Sequence, residues 1–162
     1  MTPQIVEREE QPYVAVRGMV TMRTIPEIAD RFPEVFAWLG RNGITPADAP
    51  FFKYNLIDMD RHLEMEAGVP IDASVAADRE VLVGVLPAGR YATVSHVGHP
   101  QELVEVTGKL LEWASAEGLA WDMTTTDKGD RWACRLELLL TDPAVEPDMA
   151  KWEIRLMFKL AD

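Results

Sequence analysis

The same order of elements occurs twice along this chain, which confines it to folds in which two like modules meet. In the first half, a Val-rich strand at 12–18, PYVAVRG, leads to a helical stretch at 25–40 and then to strands at 51–57 and 62–67. In the second half, strands at 79–86 and 91–97 lead to a helix at 100–117, followed by strands at 131–140 and 151–160. Trp38 matches Trp113 and Gly43 matches Gly118, both at an offset of 75. FFKYNLIDMD at 51–60 aligns with CRLELLLTDP at 134–143 at an offset of 83, and LEMEAGVPI at 63–71 with WEIRLMFKL at 152–160 at 89. The growing offset means longer connections in the second half. This repetition predicts an α+β fold: two pseudo-symmetric strand-helix-strand-strand modules, with antiparallel sheets around a central groove. The whole chain, 1–162, then forms one domain with halves of about 1–80 and 81–162.

Local patterns refine the modules. Ile25, Ile28, Ala29, Phe32, Val35, Phe36 and Leu39 recur at helical spacing, with Thr24 as N-cap. Pro33 lies inside that run and should kink or split the helix near Phe32, because it lacks an N–H and its ring crowds the preceding turn. Pro100 opens the second helix, Gly118 closes it, and Leu103, Val106, Leu110, Trp113 and Ala114 form its apolar stripe. Two alternating rows stand out near the end. Trp132, Cys134, Leu136, Leu138 and Leu140 form one; Trp152, Ile154, Leu156, Phe158 and Leu160 form the other. Read as neighbouring strands, they make the floor of one core.

Composition narrows the function. Lys plus Arg is 16 and Asp plus Glu is 27, a net charge of −11, which repels phosphate backbones and speaks against direct nucleic-acid binding. No apolar run is long enough to span a bilayer, so no membrane partner is expected. The start, MTPQIVEREE, lacks a basic-then-apolar leader, so a cytoplasmic location is expected. A lone Cys134 excludes an internal disulfide and a cysteine zinc cluster, and its place in an apolar row makes it an inert buried thiol. No histidine and carboxylate spacing suits a metal, and neither a P-loop, a dinucleotide fingerprint nor a nucleophile elbow occurs. No metal or cofactor is expected.

A groove between two like modules is a natural ligand site, lined by equivalent positions. The offset of 83 makes Tyr54 equivalent to Glu137. Strand alternation puts Tyr54 on a face with Phe52 and Leu56, and Glu137 on a face with Arg135 and Leu139. Pointed the same way, these residues form an aromatic and aliphatic bowl with one carboxylate and one guanidinium.

The chain resembles the GyrI-like family, the bacterial transcription activator effector-binding domain of the SOUL-like fold group. EMEAGVPI at 64–71 resembles the family's acidic strand ending in G-[VI]-P-V. LPAGRYATVSHVG at 86–98 resembles its L-P-A-G-x-Y-A…H-x-G stretch. ELLLTDP at 137–143 resembles its E-x-Y-x-x-[DN]-P strand, and 152–160 loosely resembles its last strand. The resemblance implies binding of bulky, lipophilic and often cationic compounds, with Glu137 as counter-charge and Tyr54, Phe52, Leu56, Leu139, Arg135 and Tyr91 as further ligand contacts. It also carries two alternatives. Some stand-alone members resemble hydrolases that open cyclopropane-bearing toxins, and Tyr54 and Glu137 would hold those catalytic places. Another member inhibits DNA gyrase, which would make a protein the partner. Leu139 departs from the pattern by standing where E-x-Y has its aromatic ring.

Overall fold

The computed structural model describes residues 2–162. Ten strands are present: β1 (Gln4–Arg8), β2 (Gln11–Val20), β3 (Phe51–Asp58), β4 (His62–Pro70), β5 (Leu82–Leu86), β6 (Gly89–Val97), β7 (Met123–Thr126), β8 (Gly129–Trp132), β9 (Arg135–Leu139) and β10 (Glu153–Lys159). The helices are α1 (Ile25–Ala29), α2 (Phe32–Arg41) and α3 (Leu103–Ala116). One curled antiparallel sheet carries the order β1-β6-β10-β9-β3-β4-β2-β5, with the β7–β8 hairpin attached to β3. The order reads the same from both ends. β2, β4 and β3 of the first module mirror β6, β10 and β9 of the second, and β3 meets β9 at the middle.

The helices show why the local sequence folds as it does. The run at 25–40 splits into α1 and α2, with Pro33 in the first turn of α2, where its missing N–H leaves no helical bond unmade. Thr24 does stand at the N-cap of α1, but its hydroxyl accepts from Thr21 N instead of from the helix. Both modules end their helix identically. Gly43 (φ 65°) and Gly118 (φ 72°) adopt the left-handed conformation. The next residue in each reaches back to the helix, Ile44 N to Leu39 O at 3.0 Å and Leu119 N to Ala114 O at 2.9 Å. This closure satisfies carbonyls that a helix end leaves open and requires a residue without a Cβ penalty.

Both helical layers lie on one face of the sheet. Under α1 and α2, Val14, Val16, Ile28, Val35, Leu39, Leu63 and Met65 form one core. Under α3, Ala92, Val106, Leu110, Leu156 and Phe158 form another. The opposite face curls around a third core of Tyr13, Phe51, Tyr91, Cys134, Leu136 and Met157. There Gly68 is needed: a Cβ on it would stand 2.5 Å from Phe51 Cζ, so the ring occupies the space a side chain would take.

This third core corrects the single floor expected from the two apolar rows. Cross-strand partners share a face, and Ile154, Leu156 and Phe158 are paired with Leu139, Glu137 and Arg135. Leu136 and Leu138 are paired with Met157 and Arg155 on the other side. From Cys134 onward the first row therefore lies on the face opposite the second, while Trp132 packs with Phe158 on the helix side, and the curled sheet buries both rows. The expected strand at 131–140 is also interrupted at Ala133 and Cys134, between β8 and β9. Strands β1 and β7 were not anticipated; QIVER and MTTT are short and largely exposed, so neither carries a marked apolar alternation.

Candidate functional site

Adjacent strands β3 and β9 form the groove floor, with Phe52 opposite Glu137 and Lys53 opposite Leu136. Lys53 and Leu136 are separated by the same 83 residues as Tyr54 and Glu137. Lys53 and Leu136 are directly opposed where the two strands meet. Phe52, Tyr54, Arg135 and Glu137 thus crowd around this point on the helix side. The Tyr54 hydroxyl donates to Glu137 Oε1 at 2.8 Å. The Arg135 guanidinium lies over three rings, with its carbon 4.4 Å from the Phe158 centroid, 4.9 Å from Trp132 and 5.8 Å from Tyr54. Phe32, from the start of α2, tilts against Phe52 at 5.3 Å between centroids. Phe32, Phe52, Tyr54, Arg135, Glu137 and Leu139 are all half-buried, as befits the walls of a groove more than the middle of a core.

Two residues expected in the groove lie elsewhere. Leu56 was placed with Phe52 and Tyr54 by simple alternation. A β-bulge between Tyr54 and Leu56 adds a residue to β3, so Leu56 pairs with Glu64 and turns to the opposite face. Ile57 takes over on the helix side and touches both helical cores. Tyr91 is fully buried in the third core and donates to Pro87 O at 2.6 Å. Its neighbours Ala92 and Val94 face α3, so alternation directs Tyr91 away from the groove. Phe32, Trp132 and Phe158 join the site without having been anticipated. Only the pairing of β10 with β9 reveals that Phe158 stands beside Arg135.

The electrostatics follow from burial. Burial pushes the Glu137 carboxyl above the usual carboxylate range, against the opposing pulls of the Tyr54 hydroxyl and Arg135. Burial also drives the Tyr54 hydroxyl well up, reinforced by Glu137. It lowers the affinity of Arg135 for its proton, though an arginine keeps its charge throughout the ordinary pH range. Arg135 and Glu137 form no ion pair among the described residues.

A carboxyl whose pKa is higher folded than unfolded contributes stability that is complete below the ordinary carboxylate pKa. That contribution is lost as pH rises through the raised value. Glu137→Gln holds the neutral shape at every pH. Its stability relative to wild type should therefore grow as pH rises above the ordinary carboxylate range, until the raised value is passed, in chemical denaturation. A difference that stays flat over that window would show that the groove does not disfavour the carboxylate.

Among the described residues, no group of three or more His, Cys, Asp and Glu side chains could hold a metal ion. No helix is long and apolar enough to cross a membrane.

Comparisons with known proteins place this architecture. The fold is similar to that of EcmrR in its DNA complex, with a TM-score of 0.78 and 16% identity over 99% of this chain. This chain spans 57% of that EcmrR chain. The isolated C-terminal domain of EcmrR gives a TM-score of 0.72 and 18% identity, covering 99% of this chain and 98% of that one. A hydrolase from Listeria innocua gives 0.65 and 15%, covering 98% and 91%. SAV2435 bound to tetraphenylphosphonium gives 0.60 and 11%, covering 99% and 94%. No curated protein matches by sequence. A family model does match, from residue 1 to residue 159, and by it the chain belongs to the GyrI-like small molecule binding domain family.

Proposed function

We propose that this chain binds lipophilic, ring-bearing small molecules in the groove between α2 and α3. One observation carries the reading. Beside the hydrogen-bonded Tyr54 and Glu137, Arg135 stands half-buried among aromatic rings, with its Nε lacking a hydrogen-bond partner among the described residues. Polar groups withheld from water are costly unless something supplies their partners, and a bound molecule would do so. Tetraphenylphosphonium on SAV2435 supports a ligand made largely of rings. Family resemblance led to an expectation of cations neutralised by Glu137. In this groove burial favours the uncharged carboxyl, its Oε1 is engaged by Tyr54, and a guanidinium stands beside it. Rings carry this proposal, and it does not require a positive charge on the ligand.

The test is an equilibrium titration with neutral 2-naphthamide, followed by tryptophan fluorescence. Wild type should bind, and Phe52→Ala should bind about tenfold more weakly, a change of about 1.4 kcal/mol. Absence of wild-type binding at millimolar ligand, for the naphthamide and for charged probes of the same ring shape alike, would reject the reading.

A hydrolase reading is favoured by the hydrogen bond between Tyr54 and Glu137. A tyrosine and a carboxyl group in contact, both with raised pKa values, can orient a water and deliver a proton. On a strained cyclopropane, the water oxygen would add to one ring carbon as the carbon–carbon bond opens. The released carbon would take up a proton from Tyr54, while the water's own proton passes to the ionised Glu137 carboxylate, which returns it to the tyrosine oxygen. Hydrolysed product detected by mass spectrometry, and lost in Tyr54→Phe, would establish this reading over simple binding.

A further inference from the structure

Three buried side-chain polar atoms lack a hydrogen-bond partner among the described residues: Thr93 Oγ1, Trp132 Nε1 and Arg135 Nε. The last two belong to side chains in contact, with the Arg135 guanidinium 4.9 Å over the Trp132 ring. Both are donors, so an acceptor is missing at this spot. Arg135 is left more exposed to that lack than a typical interior arginine. Among the described residues it has no ion pair, and the nearby carboxyl of Glu137 is held by Tyr54. Three rings from Tyr54, Trp132 and Phe158 hold the guanidinium in place.

We propose that the groove is built for aromatic acids: a planar carboxylate received by Arg135, with the ligand's rings on Phe52 and Phe32. This deepens the groove reading and rests on it. A guanidinium presents its donors as a rigid fork that matches a carboxylate, and each such contact is charge-assisted. Arg135 brings a permanent positive charge to this face of the sheet, in a molecule that is otherwise strongly negative. The net charge of −11 opposes the approach of an anion, but screening confines that field to about 8–10 Å at ordinary salt. It therefore slows association more than it weakens the complex. The competing view is that the three rings alone satisfy Arg135 and that it serves only the fold.

Three shape-matched probes separate these views: 2-naphthoate, neutral 2-naphthamide and (2-naphthylmethyl)trimethylammonium, titrated against wild type, Arg135→Met and Arg135→Lys. Wild type should hold the naphthoate at least about tenfold more tightly than the ammonium probe. Arg135→Met should weaken the naphthoate by about 10- to 100-fold and change the naphthamide by less than about threefold. Arg135→Lys, which keeps charge without the fork, should fall between. The wild-type comparison stands even if a variant fails to fold. An ammonium probe bound as tightly as the naphthoate, or a naphthoate affinity unmoved in a folded Arg135→Met, overturns the proposal and leaves the groove reading intact. Failure of all three probes to bind wild type overturns the groove reading and this proposal with it.

Discussion

Glu66→Ala is expected to remove about 3–5 kcal/mol of stability, the range for breaking a buried ion pair from one side. Glu66 is 1% exposed and stands in the middle of a row across three strands, opposite Arg17 on β2 and Lys53 on β3. Its carboxylate accepts from the Tyr13 hydroxyl and from Asn55 Nδ2, each at 2.6 Å. Lys53 Nζ lies 3.6 Å away and an Arg17 nitrogen 3.5 Å away. Lys53 also donates to Asn55, and both are buried. Removing the carboxylate leaves a lysine, a phenol and an amide without their acceptor at largely buried positions. Glu66→Gln retains an acceptor and should lose less. The double variant Glu66→Leu with Lys53→Met removes both charges and should recover the part of the deficit due to the unpaired lysine, while the Tyr13 hydroxyl and the Asn55 amide stay without their acceptor. Urea unfolding of the three variants checks this. A loss below about 1 kcal/mol in Glu66→Ala would mean that water reaches the cluster.

Phe158→Ala should cost about 3–5 kcal/mol. Phe158 is 1% exposed and packs edgewise on Trp121 and Trp132, with centroids 5.8 and 5.6 Å apart. Truncation opens a cavity between β10 and the hairpin that carries Trp132. It also takes away the ring nearest to the Arg135 guanidinium. Fold and site should therefore weaken together: the unfolding midpoint falls, and the affinity for any groove ligand falls in the same variant. Phe158→Leu fills most of the volume and should stay within about 1.5 kcal/mol of wild type. Equal stabilities for the Ala and Leu variants would show that the aromatic trio is not tightly packed.

The parts of the molecule legible in its sequence are those governed by short-range rules. Pro33 ended one helix and began another because a missing N–H acts at the residue itself. Gly43 and Gly118 closed their helices because only a residue without a Cβ turns easily into the left-handed region. The placing of Tyr54 beside Glu137 followed from the offset between the two modules, which is a sequence quantity, and the hydrogen bond between them joins residues 83 apart. Leu56 and Tyr91 were misplaced for two different reasons. Leu56 obeyed alternation until a bulge that no residue type announces shifted the register. Tyr91 was drawn to the groove by a motif, whereas the parity of its strand sends it to the far side of the sheet.

What the sequence determined by itself is the succession of elements, the α+β class and the halves that carry the groove. These depend on periodicity, helix breakers and turn glycines, all read within a few residues. Which face each apolar row covers, and which charges meet, was decided only by tertiary structure. Strand pairing is a relation between distant segments, and one residue of slip inverts every side chain. That is why Leu156 and Phe158 share the groove face with Glu137 and Arg135, while Leu136 and Cys134 pack on the opposite face of the sheet. It is also why Arg135, on the same strand face as Glu137, lies over three rings with no ion pair among the described residues.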